Sequence, residues 1–154
     1  MKVIMSCVCL LGAVSAGAVS LDVDFVKGLI AIPSESRSIP ECNRAVAYVK
    51  DYLETRGVYC HVERTKEGRD AIYASTVPGK DCDYAFVSHV DVVPAASPEQ
   101  FVPRIEGDEI WGRGACDTKV NAALIAQLLV ELKGRIAFLV TFPLFLFPFS
   151  FPSQ

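Results

Sequence analysis

A chain of 154 residues, 51% hydrophobic and 21% charged, is long enough for one folded domain with its own core. Its formal net charge of −3 and scattered basic residues exclude an electrostatic nucleic-acid surface and a polybasic membrane patch.

The start of the chain reads as a separate object, residues 1–18. Behind Lys2 runs "VIMSCVCLLGAVSA", an apolar core of signal-peptide length, and Ala16-Gly17-Ala18 is a small-residue cleavage site. The run is too short for a comfortable membrane span. It predicts an exported chain, secreted or periplasmic, cleaved near Ala18; an uncleaved anchor and a buried first helix are the alternatives. Of six cysteines, Cys42, Cys60, Cys82 and Cys116 lie beyond the leader. No pair has C-x-x-C spacing, so a structural zinc knuckle is unsupported. Disulfides and free buried thiols both stay open.

From residue 19 the elements follow in order. "LDVDFVKGLIAIPSES" places Val23, Val26, Leu29 and Ile30 at helical spacing and stops at Pro33. "PECNRAVAYVKDYLETRG" is a second helix, with Pro40 in its first turn and Gly57 as its stop. "VYCHVERT" and "DAIYAST" read as strands, and "VPGKDCD" as a turn. A third strand is predicted over Tyr84–Val93. Glu106-Gly107-Asp108 is a turn between two short extended pieces. "TKVNAALIAQLLVELKG" is a helix with a broad apolar face of Ala123, Leu124, Ala126, Leu128, Leu129 and Leu132, ended by Gly134. "RIAFLVT" is a last strand. Alternating helices and strands imply an α/β layered domain with a largely buried sheet.

The last stretch, 142–154, is "FPLFLFPFSFPSQ": five Phe, three Pro and no charge. Prolines rule out a regular helix or central strand there. The readings are a membrane- or partner-associating tail, and a sequence that did not evolve for this position.

Two polar features sit among apolar surroundings. In "AFVSHVDVVPA", His89 and Asp91 interrupt a run of β-branched residues. Two apart in an extended strand, they share a face near its C-terminal end, where ligand sites of α/β sheets cluster. A neutral imidazole ligates zinc, and a nearby carboxylate, acting directly or through the backbone it organises, fixes the ring's tautomer. A buried hydrogen-bonded His–Asp pair looks the same in sequence. In "WGRGACDTK", Gly112 and Gly114 allow tight turns around Arg113, and Asp117 stands just before a helix. An Asp there is an N-cap or a carboxylate projecting into a cleft, able to bridge two metal ions.

Together, "SHVDVVPA", "FVPRIEGDEIWGRGACDTK" and the Ala/Leu-rich helix after them resemble the co-catalytic zinc hydrolases of metallopeptidase family twenty. That group contains aminoacylase, acetylornithine deacetylase, succinyl-diaminopimelate desuccinylase and glutamate carboxypeptidase. The resemblance covers roughly Leu21 to Thr141 and includes "LIAIPSES" and "LKGRIAFLVT". It implies a layered helix–sheet–helix, zinc-exopeptidase-like catalytic domain, here incomplete. It implies that His89 is a zinc ligand, that Asp91 is the catalytic-site carboxylate supporting it, and that Asp117 bridges two zinc ions. It also implies a cis peptide between Asp117 and Thr118, and a peptide or N-acyl amino acid as substrate. His61, the other histidine, falls outside the motifs and reads as structural or surface.

The chain departs from the family after "RIAFLVT". An adjacent Glu–Glu pair is expected there, one the general base and one a zinc ligand; the chain has Phe142-Pro143-Leu144, and no acidic residue follows Glu131. Val120 and Asn121 replace a usual glycine after the lysine. The resemblance therefore implies a zinc-dependent amide or peptide hydrolase in which this chain holds part of the ligand set and no base, and is inactive as it stands. The alternative is a non-catalytic fragment with a hydrophobic tail. Missing cover over 135–141 predicts a bare apolar face and aggregation.

Overall fold

A computed structural model describes residues 2–5, 21–77, 82–132 and 136–141. The leader's cleavage site, the end of the last helix at Gly134 and the Phe/Pro-rich stretch from Phe142 lie outside them.

The described residues form α1 (Val23–Ala31), α2 (Ile39–Glu54) and α3 (Lys119–Glu131) with strands β1 (Lys2–Met5), β2 (Tyr59–Arg64), β3 (Asp70–Ser75), β4 (Tyr84–His89), β5 (Arg104–Glu106), β6 (Glu109–Trp111) and β7 (Ile136–Thr141). Five strands make one sheet in the order β1-β4-β7-β3-β2, while β5 and β6 form a separate hairpin. The α/β class predicted from the sequence is the class found. Asp22 starts α1, its carboxylate accepting from Phe25 N–H at 3.0 Å, and Phe25, Val26, Leu29 and Ile30 turn inward. In α2, Cys42, Ala45, Val46, Val49 and Leu53 form the buried stripe. The chain leaves α2 through Gly57, whose φ of +80° is the left-handed turn an L side chain resists.

The three helices touch one another and pack on one face of the sheet. Lateral rows of inward residues cross the strands: Cys60–Ala74–Phe138–Phe86, and Val62–Ile72–Val140. On the side that the helices cover, the face expected to be bare over 135–141 is closed: Phe138 and Val140 are buried in the core with α1, α2 and α3, and Ala137 is buried as well. In α3 the buried side is Ala122, Ala123, Ile125, Ala126 and Leu129, together with Gln127; Leu124 and Leu132, assigned to the apolar face above, are exposed. Gln127 is held inward because its Oε1 accepts from Asp22 N–H at 2.9 Å. No described helix is long and apolar enough to cross a membrane. Residues 2–5, read above as the start of the leader, pair with β4 as a parallel edge strand.

The four described cysteines are free thiols. Burial, with a smaller push from Glu54 against Lys50, drives the Cys60 thiol up to about 12. Above the ordinary thiol pKa of about 8.5 the unfolded chain has lost this proton and the folded chain has not. The folded state then binds more protons, so stability falls as pH rises from there toward the folded value. Cys60→Ala is expected to flatten part of that alkaline loss in urea denaturation curves; parallel pH profiles for the two proteins would show that the thiol is not held neutral.

Candidate metal centre

His89 is the last residue of β4 and stands opposite Thr141, the last residue of β7, in a parallel register. Both strands point their C-terminal ends at the site. The strand predicted to run to Val93 ends at His89. Beyond it, Val90–Val92 leaves the ladder and pairs instead with Ser34–Ser36: Val92 N–H donates to Ser34 O and Ser36 N–H to Val92 O, each at 2.9 Å.

That exit changes how Asp91 reaches His89. The His89 Nδ1 atom lies 3.0 Å from the main-chain oxygen of Asp91 and 3.4 Å from its carboxylate Oδ1. A carbonyl only accepts, so Nδ1 carries the proton and Nε2 keeps its lone pair. Asp91 is 1% exposed, and its Oδ2 accepts from the Ser36 hydroxyl at 2.6 Å. Its Oδ1 is buried without a hydrogen bond. A buried carboxylate with one oxygen unpaired favours positive charge beside it, which a metal-bound imidazole supplies. Burial alone would lower the His89 pKa; the nearby Asp91 carboxylate, the hydrogen bond to the Asp91 carbonyl and the charge of Asp117 outweigh it and hold the pKa above its ordinary value.

Asp117 is not the helix N-cap, the other reading of its position. Thr118 occupies the cap, with a φ of −148°, and the Asp117 side chain is left 83% exposed. The Asp117–Thr118 peptide is cis, as the resemblance implies. Asp117 Oδ1 lies 3.3 Å from His89 Nε2. Two donors held at about 2.0–2.1 Å around one tetrahedral ion are themselves about 3.3 Å apart. The donor set and its spacing therefore fit one zinc ion shared by His89 and Asp117. Among the described residues no third His, Cys, Asp or Glu joins them.

The loop carrying Asp117 is threaded tightly. Gly114 has a φ of +87°, and a Cβ there would stand 2.9 Å from both Lys119 Cδ and Val92 Cγ1; a Cβ on Gly112 would fall 2.5 Å from Ile30 Cγ2. The two glycines let the backbone lie against α1 and the Asp91 segment at once. Arg113 is held by Gln100: its N–H and Nη2 donate to Gln100 O and Oε1 at 2.7 and 2.9 Å. Gln100 belongs to a short 3-10 helix, Pro98–Phe101. His61 sits on β2 opposite Tyr73, three strands away from His89.

Sequence reasoning missed Ser36 and Lys119. Lys119 opens α3 but is 0% exposed, with Nζ donating to Ile32 O at 2.5 Å. Burial pushes its ammonium down to about 8, with Arg44 adding to the shift and Cys42 and Asp91 opposing it. A lysine in a D-T-K sequence at a helix start carries no signal of burial. Ser36 lies in "PSES", which resembles any serine-rich loop after a helix.

Residues 85–142 match the model of the family described as Peptidase family M20/M25/M40. A peptidase M20 domain-containing protein of Schizosaccharomyces pombe is 34% identical over 95 residues, covering 58% of this chain and 22% of that protein. A succinyl-diaminopimelate desuccinylase of Beijerinckia indica is 31% identical over 134 residues, covering 77% of this chain and 34% of that protein. Among solved structures, an M20 family metallo-carboxypeptidase from Sulfolobus solfataricus superposes with a TM-score of 0.63 at 24% identity, over 77% of this chain and 30% of its own. Human carnosine dipeptidase 1 superposes with a TM-score of 0.58 at 24% identity, over 77% and 31%. Both show the same fold across the shared span. The chain thus spans between 22% and 34% of the length of these two curated relatives.

Proposed function

We propose that this chain, similar over residues 85–142 to the M20/M25/M40 peptidase family, carries one side of a zinc centre for amide-bond hydrolysis. The observation behind the proposal is the His89–Asp117 pair: a lone-pair-bearing Nε2 and a carboxylate oxygen 3.3 Å apart, with the other ring nitrogen occupied by Asp91. Zinc in such a centre supplies Lewis acidity and a water acidified toward neutral pH. The chain's own residues do the rest of this half. His89 offers Nε2; the Asp91 carbonyl holds its proton on Nδ1; Asp117, mostly solvent-facing, leaves one oxygen toward His89 and the other free for a second ion. The substrate class is the peptide or N-acyl amino acid amide, in keeping with the desuccinylase and dipeptidase among the similar proteins. Export with a leader removed near Ala18 belongs to the same reading, supported by the leader-like start.

A catalytic zinc takes about three protein ligands plus a water. Among the described residues two stand at the site, and the sequence has Phe142-Pro143-Leu144 where a base is expected. The chain as given is expected to take up zinc weakly and to hydrolyse no amide. Assays on an N-succinyl amino acid and a dipeptide, with and without zinc, are expected to show no turnover above buffer. Zinc-dependent hydrolysis that disappears in His89→Ala would overturn the inactivity; failure of the wild-type chain to bind any zinc would overturn the metal site.

A further inference from the structure

The segment between α1 and α2 touches both halves of the candidate centre. On one side, the Ser36 hydroxyl binds Asp91 Oδ2 at 2.6 Å, and the Ser34 hydroxyl binds Val90 O at 2.6 Å. On the other, the buried Lys119 ammonium, two residues after Asp117, binds Ile32 O at 2.5 Å. Arg69, entering β3, donates to Ser36 O from a third direction. Five consecutive residues, Ile32 to Ser36, therefore tie the segment bearing Asp91 to the helix start bearing Asp117.

We infer that this strap sets the aim of the metal donors, and that Ser36 is a positioning residue for His89. The inference rests on the metal-site reading above. A serine hydroxyl has one proton to give. Its contacts here are the Asp91 carboxylate at 2.6 Å and Val92 O at 3.1 Å. The shorter, charge-assisted one takes the proton. This contact is the hydrogen bond Asp91's buried carboxylate receives from a side chain, and it fixes the rotation of the residue whose carbonyl accepts from His89 Nδ1. Without it, Asp91 is free to rotate, its carbonyl's hold on the Nδ1 proton weakens, and Asp117 Oδ1, 3.3 Å from Nε2, competes for the proton on the other ring nitrogen. Ser34 makes the useful contrast: it anchors the same strap, but its hydroxyl binds the Val90 carbonyl and not the Asp91 carboxylate.

The test is histidine ¹⁵N NMR on the full metal-free chain, at a pH where both imidazoles are neutral, alongside zinc titration. With two histidines in the sequence, His61 serves as the internal reference. Wild type is expected to show His89 in the Nδ1–H tautomer. Ser36→Ala is expected to mix the two tautomers and weaken zinc binding about 10- to 100-fold, the usual effect of losing a partner behind a ligand. Ser36→Thr, which keeps the hydroxyl, is expected to restore both. Ser34→Ala is expected to lower the thermal midpoint with the tautomer unchanged. An unmixed His89 tautomer in folded Ser36→Ala, or the same mixing in Ser34→Ala, would overturn the inference. A wild-type chain with the expected tautomer and no zinc uptake would leave the positioning intact and sink the metal reading alone.

Discussion

His89→Ala is expected to abolish zinc binding by this chain, and Asp117→Ala to do the same. Altering a residue behind a ligand already costs about 10- to 100-fold in affinity, and these variants remove a ligand outright. At a site with two protein donors, removal of either leaves a single group that any surface histidine or carboxylate could match. His61→Ala is the control: on β2, three strands away, it is expected to change nothing. Titration against a chromophoric chelator separates the cases. Equal affinity in wild type and both donor variants would mean that His89 and Asp117, though 3.3 Å apart, are only a hydrogen-bonded pair.

Phe138→Ala is expected to cost about 3–5 kcal/mol in stability. Phe138 is fully buried, in a row with Ala74 and Phe86 on the face that the helices cover. Its neighbours are fixed by two strand ladders and cannot collapse into the space left behind. Against a total of about 5–15 kcal/mol for a domain, that loss leaves a measurable unfolded population. Phe138→Leu, closer in volume, is expected to cost about 1.5 kcal/mol or less. Urea midpoints decide it: a Phe138→Ala loss under about 1 kcal/mol would mean the helices do not close over β7.

These two sites differ in how visible they are before the fold is known. Phe138 lies in an apolar run legible as a strand, but missing cover led to the expectation of a bare face there; what the pattern could not tell was that β7 sits between β4 and β3 with Phe138 buried under the helices. His89 and Asp117 were readable from motif spacing. The link between His89 and Asp91 was readable as a pair but not in kind, because an i, i+2 argument assumes the strand continues. It stops at His89, since Val90–Val92 finds main-chain partners in Ser34–Ser36, more than fifty residues earlier. Long-range pairing of that sort leaves no local trace. Lys119 failed for the opposite reason: its local trace, a lysine at a helix start, points to solvent. Leu124 shows the limit of periodicity, as leucine at a helical position is compatible with either side of a helix whose both flanks are apolar.

The parallel pairing of β4 with β7 also orders events in time. β2 and β3 are joined by a short turn and can pair as soon as both are made, whereas β4 waits for the hairpin, the Gly112–Thr118 loop and all of α3 before β7 exists to lie beside it. Contacts of such sequence separation form late, because the intervening chain must be ordered first. The β4–β7 ladder that ends at His89 is completed only in those closing steps. A zinc ion meeting the nascent chain would thus find single donors, and the pair becomes a chelate when the domain finishes folding.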